Sequence, residues 1–302
     1  MQKILYSLLL ALLAIAAGAQ PGSAQYAPTI EENSLLWEIS GKSLAQPSFL
    51  FGTIHIIGKD DFFLSEATRQ SFEQSAQVAF EINMEEMADF TKLLPLLMKS
   101  FMAGNVTLKD LLSQEDYALV KKHFESLGLP MMFLDRIKPM FLSVLGSDQD
   151  LFSRNGDGGQ MTSYEMELMA MAQARQMPIS GLETAEYQMS MFDSIPYQEQ
   201  AQMLVQSIKS EGGAEGQFEH MVELYKNQDL QGMGALMDSE AGGIGNYGEL
   251  LLAGRNRNWI PIMAKMMTQK PTFFAVGAGH LGGEQGVVAL LREQGYTVKP
   301  LR

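Results

Sequence analysis

Two textures of apolar residues divide the chain. Near each end, short β-branched and aromatic runs are closed by turn residues; between them, Leu, Met, Ala, Gln and Glu recur at helical spacing. Leu35-Leu-Trp-Glu-Ile-Ser40 reads as a strand, Gly41 to Pro47 as a turn and Ser48 to Phe51 as the returning strand of a β-hairpin. The stretch after His55, Ile56 to Phe63, reads as a loop. Ser65 is a candidate N-cap for a helix ending near Gln74, and Gln77-Val-Ala-Phe-Glu-Ile-Asn83 is a strand. Helical patterns then run at about 86–103, 113–127, 130–146, 162–176, 184–192, 196–211, 214–227, 229–238, 247–253 and 255–268, the last opened or interrupted by Pro261. Turn-rich loops fall at 153–159 and 241–246, and Pro178 to Glu183 is a short β-like piece. Finally Thr272 to Val276 is a strand, Gly283 to Glu293 a helix and Tyr296 to Leu301 a strand.

The two ends match. Ser48-Phe-Leu-Phe-Gly-Thr-Ile-His55 and Thr272-Phe-Phe-Ala-Val-Gly-Ala-Gly-His280 are each an apolar strand followed by Gly-x-x-His, a helix and another strand. The pattern predicts an α/β (α+β) fold. Its mixed sheet is built from two split βαβ-type halves, 35–84 and 270–302, around an all-helical insertion at about 85–269, all in one domain over 35–302 behind a lead-in at 25–34. With parallel strands and right-handed crossovers, both histidines fall at one sheet edge, where ligand sites of open α/β sheets gather.

Composition narrows the setting. A net charge of −13 and no Lys/Arg cluster argue against nucleic acid or anionic lipid as partner. Lys3 followed by an apolar run from Ile4 to Ala17 reads as a signal peptide within 1–24, cleaved after Ala19 or Ala24; an uncleaved anchor is the alternative. No later stretch is long enough to span a membrane, so the expected address is periplasmic, cell-surface or secreted. The absence of cysteine removes disulfide and thiolate chemistry. The 22 methionines read as adaptable core filler.

With only four histidines in the chain, His55 and His280 in matching contexts point to one bipartite site. Neutral imidazoles on glycine loops suit a shared metal ion or a substrate. Glu81, in a strand of apolar neighbours, is costly unless paired or metal-bound. Glu183 closes another candidate strand, and Arg255 in Gly254-Arg-Asn-Arg-Asn258 carries the fork that grips oxyanions or carboxylates. Glu165 and Glu167 read as solvated helix-face residues, as do His123 and the His220/Glu223 pair. A calcium loop from Ser153 fails at its first and twelfth positions.

Taken in order, Leu35-Leu-Trp-Glu-Ile, Phe51-Gly-Thr-Ile-His55, Val78-Ala-Phe-Glu81, Ser180-Gly-Leu-Glu-Thr184 with Gln188, Leu251-Leu-Ala-Gly-Arg-Asn256 and Gly277-Ala-Gly-His280-Leu resemble the TraB/GumN family, which includes the Tiki ectoproteases. The chain departs from that pattern at Glu165, where many members carry Asp. The resemblance implies an α/β core with a helical insertion and, for Tiki-like members, metal-dependent peptide hydrolysis at the two Gly-x-x-His motifs. The expectation is therefore an exported metal-dependent, peptidase-like hydrolase. His55, His280 and Glu81 would hold Mn²⁺, Co²⁺ or Zn²⁺; Glu183 would serve as general base or orient a histidine; Arg255 and Asn256 would contact a peptide or protein substrate. The alternative is an envelope protein that sequesters a peptide or signal molecule in the same cleft.

Overall fold

The computed structural model describes residues 24–85, 90–146, 161–209, 213–238 and 247–302. The expected signal peptide, except for Ala24, and the loops expected at 153–159 and 241–246 lie outside them. The described residues form eight strands: β1 Leu36–Ser40, β2 Ser48–Thr53, β3 Ile57–Gly58, β4 Gln77–Ile82, β5 Met161–Thr162, β6 Ile179–Glu183, β7 Thr272–Gly277 and β8 Thr297–Leu301. Six of them make one mixed sheet in the order β6-β4-β7-β2-β1-β8. β1 runs antiparallel to both its neighbours; β2, β7, β4 and β6 pair in parallel. Every residue of β2, β4 and β7 is buried, which is why these strands read as unbroken apolar runs rather than alternating ones.

The two matching halves interlock. The chain leaves β2, runs through the helix Glu66–Gln74 and enters β4, but β7 from the far end of the sequence lies between these strands. The chain leaves β7 through the helix Val287–Glu293 and crosses β2 and β1 to reach β8. Ser65 caps its helix as expected, accepting from the Thr68 amide. The short piece at 178–183 is a full sheet member, β6, at one edge.

The helical insertion differs from the periodicity in two informative places. The pattern at 130–146 divides into Met131–Leu134 and Pro139–Gly146, because Pro139 has no N–H and biases Lys138 away from helical geometry. Conversely, 247–253 and 255–268 join: a π-helical turn, Glu249–Ala253, runs directly into Gly254–Gln269, with Pro261 accommodated inside. The insertion also builds a second small core around Leu108, Phe124, Leu134, Leu142 and Leu204. The loop after His55 contains β3, which pairs with β5 just ahead of the helix Tyr164–Ala174.

Candidate active site

The carboxyl ends of β2, β7, β4 and β6 converge on one edge. Thr53 pairs with Gly277 and Ile82 with Glu183, so His55, two residues past β2, and His280, three past β7, emerge side by side. Gly52 makes this approach possible: a β-carbon there would lie 3.0 Å from the Ala278 backbone and from a Leu281 methyl. Glu81 comes from the adjacent β4, and its Oε1 accepts the Gly277 amide at 2.7 Å. The amide that ends β7 thus fastens a carboxylate beside His280, whose Nε2 lies 3.8 Å from Glu81 Oε1.

Arg255 is the hub. It is fully buried, stacked 4.8 Å over the Trp259 ring one helical turn later. Its Nε donates to Glu183 at 3.0 Å, and Nη2 donates to Glu183 Oε1 at 2.6 Å and also to Glu81. Its Nη1 donates to the Leu251 carbonyl at 3.1 Å and to His280 Nε2 at 3.0 Å. A guanidinium has five N–H donors, and all five are engaged within the protein. The π-helical turn places this side chain: a β-carbon on Gly254 would lie 2.9 Å from the Glu249 carbonyl, so the wide turn requires glycine just before Arg255.

His280 is locked by its neighbours. Asn256 Nδ2 donates to the Gln285 carbonyl at 2.8 Å, which turns Asn256 Oδ1 toward His280 Nδ1 at 2.6 Å. The imidazole therefore carries its proton on Nδ1 and accepts Arg255 at Nε2. Burial, with the Arg255 and His55 charges, pushes its pKa well below the ordinary histidine value, so the ring stays neutral. Trp259 packs on it with ring centres 4.5 Å apart and donates its indole N–H to Glu183 at 3.0 Å.

His55 is held differently. Its Nδ1 meets Glu165 Oε1 at 2.8 Å, and the same carboxylate accepts Thr53 Oγ1 at 2.6 Å and Ser163 Oγ at 2.8 Å. Burial opposes the charged forms of both partners; for His55 the Glu165 carboxylate, with Glu81 behind it, outweighs burial and raises the pKa. Mutual attraction likewise holds Glu165 below its usual range. Among the described residues, His55 Nε2 is buried with no hydrogen-bond partner, and so is Gln188 Oε1. The Gln188 amide is oriented by donation from Nε2 to Glu183 at 3.1 Å and Glu81 at 3.4 Å. The two open atoms thus belong to side chains flanking Glu81.

The structure brings His55, His280, Glu81, Glu183, Arg255 and Asn256 into one cluster. Three expectations change. Arg255, foreseen as a grip on substrate, has all five N–H donors spent within the protein. Asn256, foreseen as a substrate contact, is buried with both amide atoms spent on His280 and the Gln285 carbonyl. Glu165, read as a solvated helix-face residue, lies buried at the first turn of its helix and orients His55. Trp259 and Gln188 as a bridge between carboxylates were not foreseen as site residues; the i, i+4 spacing of Arg255 and Trp259 was the available signal. His220 stays on an exposed helix face.

A divalent ion does not fit this arrangement. His55 Nε2 is an open nitrogen backed by a carboxylate, as a metal-bound histidine requires. The lone pair of His280 Nε2 is taken by Arg255, and each Glu81 oxygen already accepts a donor, from Arg255 or from the Gly277 amide. Among the described residues no group of three or more His, Asp or Glu stands ready to hold a metal ion.

Comparison with known proteins gives the family. The chain is 22% identical to Metalloprotease TIKI1 of Danio rerio over 93% of its own length and 66% of that protein's. It is 22% identical to Metalloprotease TIKI2 of the same organism over 88% of its length and 61% of that protein's. It therefore spans about two thirds or less of the length of these relatives. No solved structure matches. The TraB/PrgY/gumN family matches residues 35–300, almost the whole described fold, and the chain belongs to that family.

Proposed function

We propose that this chain is an exported hydrolase of peptide bonds, with His55 as general base. The observation that carries the reading is the buried Nε2 of His55, unpartnered among the described residues, whose other nitrogen is fixed on Glu165. A carboxylate behind an imidazole sets its tautomer and raises its basicity. In the reaction, His55 Nε2 takes a proton from water as the water oxygen attacks the scissile carbonyl carbon. The tetrahedral adduct then breaks its C–N bond, and the imidazolium returns the proton to the departing amine. Carboxylic acid and amine are the products. Gln188 Oε1 is an acceptor for a substrate N–H, a group every peptide offers. Arg255, Glu183, Asn256 and Trp259 act as positioning residues, holding His280 and Glu81. Metal-dependent hydrolysis, the form the Tiki name carries, would require Arg255 to release His280 and Glu81, and no step above uses it.

The test is cleavage of a peptide library by the purified protein and by His55→Ala. Loss of about 10²–10⁴-fold in kcat is the expected effect of removing a general base. Equal cleavage by both proteins would end the assignment. Peptide capture without cleavage is the second reading. It is favoured by the saturation of Arg255, which leaves no guanidinium N–H for a developing oxyanion. Binding of peptides by wild type and variant alike, with no cleavage by either, would establish it.

A further inference from the structure

Three candidates stand outside the steps above. Leu94, Met98, Met132 and Phe133 on the insertion are each exposed, but nothing in the structure says what covers them. The buried Lys138 is matched by Asp193 and is satisfied. The third is the hub itself, whose five donors do more than hold two carboxylates.

We propose that Arg255 is the resident cation of this site: its guanidinium stands where a divalent ion would bridge His280 and Glu81, and the protein works without bound metal. This rests on the hydrolase reading and deepens it. Three observations carry it. First, the acceptors on Arg255 are the atoms a metal would need: His280 Nε2, Glu81 Oε2 and a Glu183 oxygen. Second, the guanidinium is fixed. It is fully buried, stacked on Trp259 and bound by the Leu251 carbonyl from its own helix. An ion entering beside it would meet like charge at close range, and displacing it would break five hydrogen bonds at once. Third, the histidine is preset for a donor. Asn256 puts the His280 proton on Nδ1, so the Nε2 lone pair faces Arg255. The same tautomer would suit a metal, but the lone pair is single and the arginine has it. The atoms left open among the described residues of the site, His55 Nε2 and Gln188 Oε1, supply one ring nitrogen and one amide oxygen, and that pair does not retain a divalent ion against buffer.

The experiment uses the full protein, purified without added metal. Its metal content is measured by elemental analysis, Mn²⁺, Co²⁺ and Zn²⁺ are titrated by calorimetry, and peptide cleavage is followed with and without a chelator. The expected result is far less than one metal per chain, no saturable uptake, and rates within twofold after chelation. In ¹⁵N spectra, His280 should keep its Nδ1–H signature at saturating Zn²⁺, with no change at Nε2. Stoichiometric metal, or a tenfold or greater loss on chelation restored by one of the three ions, would overturn the inference while leaving hydrolysis standing. Absence of cleavage under every condition would instead sink the hydrolase reading; metal content and the His280 signal would still decide the role of Arg255. Arg255→Ala, which frees the three acceptors, should acquire saturable Zn²⁺ binding. Where that variant does not fold, the wild-type measurements decide alone.

Discussion

Replacing Arg255 with methionine keeps most of the side-chain volume and removes the charge from a buried pair of carboxylates. Glu81 and Glu183 each retain only 5% side-chain exposure. Removing one member of a buried, hydrogen-bonded ion pair costs about 3–5 kcal/mol, because the partner stays buried without compensation. That is a factor of about 10²–10⁴ in the unfolding equilibrium, or on the order of 10 °C in melting temperature for a chain of this size. The loss has a pH signature. Burial already pushes the Glu81 carboxyl above its usual range, and without the guanidinium that group is expected to take up a proton in the folded state. The folded variant then binds more protons than its unfolded chain, so its stability falls as pH rises. Urea unfolding of wild type and Arg255→Met at pH 5 and pH 8 should show the larger deficit at pH 8. The triple partnership would be refuted by a deficit below about 1 kcal/mol, the level of an exposed pair, or by equal deficits at both pH values. Arg255→Met/Glu183→Gln should recover part of the loss, since the second change removes one orphaned charge.

The remaining outcomes concern the two histidine loops. Because Glu165 raises the His55 pKa, cleavage by wild type should rise with pH through a limb above the ordinary histidine range. Glu165→Gln should move that limb to lower pH and reduce kcat; a limb that stays in place would separate Glu165 from the base. The same pair contributes stability that is lost as pH falls through the lowered Glu165 pKa or rises through the raised His55 pKa, so thermal melts should be highest between them. Gly52→Ala should cost roughly 1–3 kcal/mol and lower activity, since the new methyl meets the Ala278 backbone at the histidine loop. Unchanged melting would show that the loops have room to spare. Gln188→Leu should raise KM more than it lowers kcat, and the reverse would remove it from substrate contact.

Much of this arrangement was legible from residue pattern alone. The paired strand–Gly-x-x-His segments announced a shared sheet edge, and Glu81 was singled out because a carboxylate inside an apolar strand needs a partner. What pattern did not carry was pairing between distant segments. Nothing local says that β7 inserts between β2 and β4, since strand order is set by long-range contacts. Glu165 has the spacing of an exposed helix residue; only the β3–β5 pairing, which lays its helix start against the loop of His55, buries it. Arg255 was read as a substrate grip because a fork of donors is a general tool. Its saturation depends on five hydrogen bonds, shared among three distant places in the chain, Glu81, Glu183 and His280, and one turn of its own helix.

The insertion of β7 between β2 and β4 also sets an order of assembly. Thr272 at the head of β7 reaches its partner Ser48 across 224 residues of chain. Until that strand is synthesised, β2 and β4 have no common neighbour, and Glu81 lacks the Gly277 amide that anchors it. Such non-local closure is slow, because the entropy of the long loop is lost before any contact repays it. The nascent chain therefore carries its helical insertion ahead of its keystone strand, and the cluster around Arg255 is among the last parts to exist.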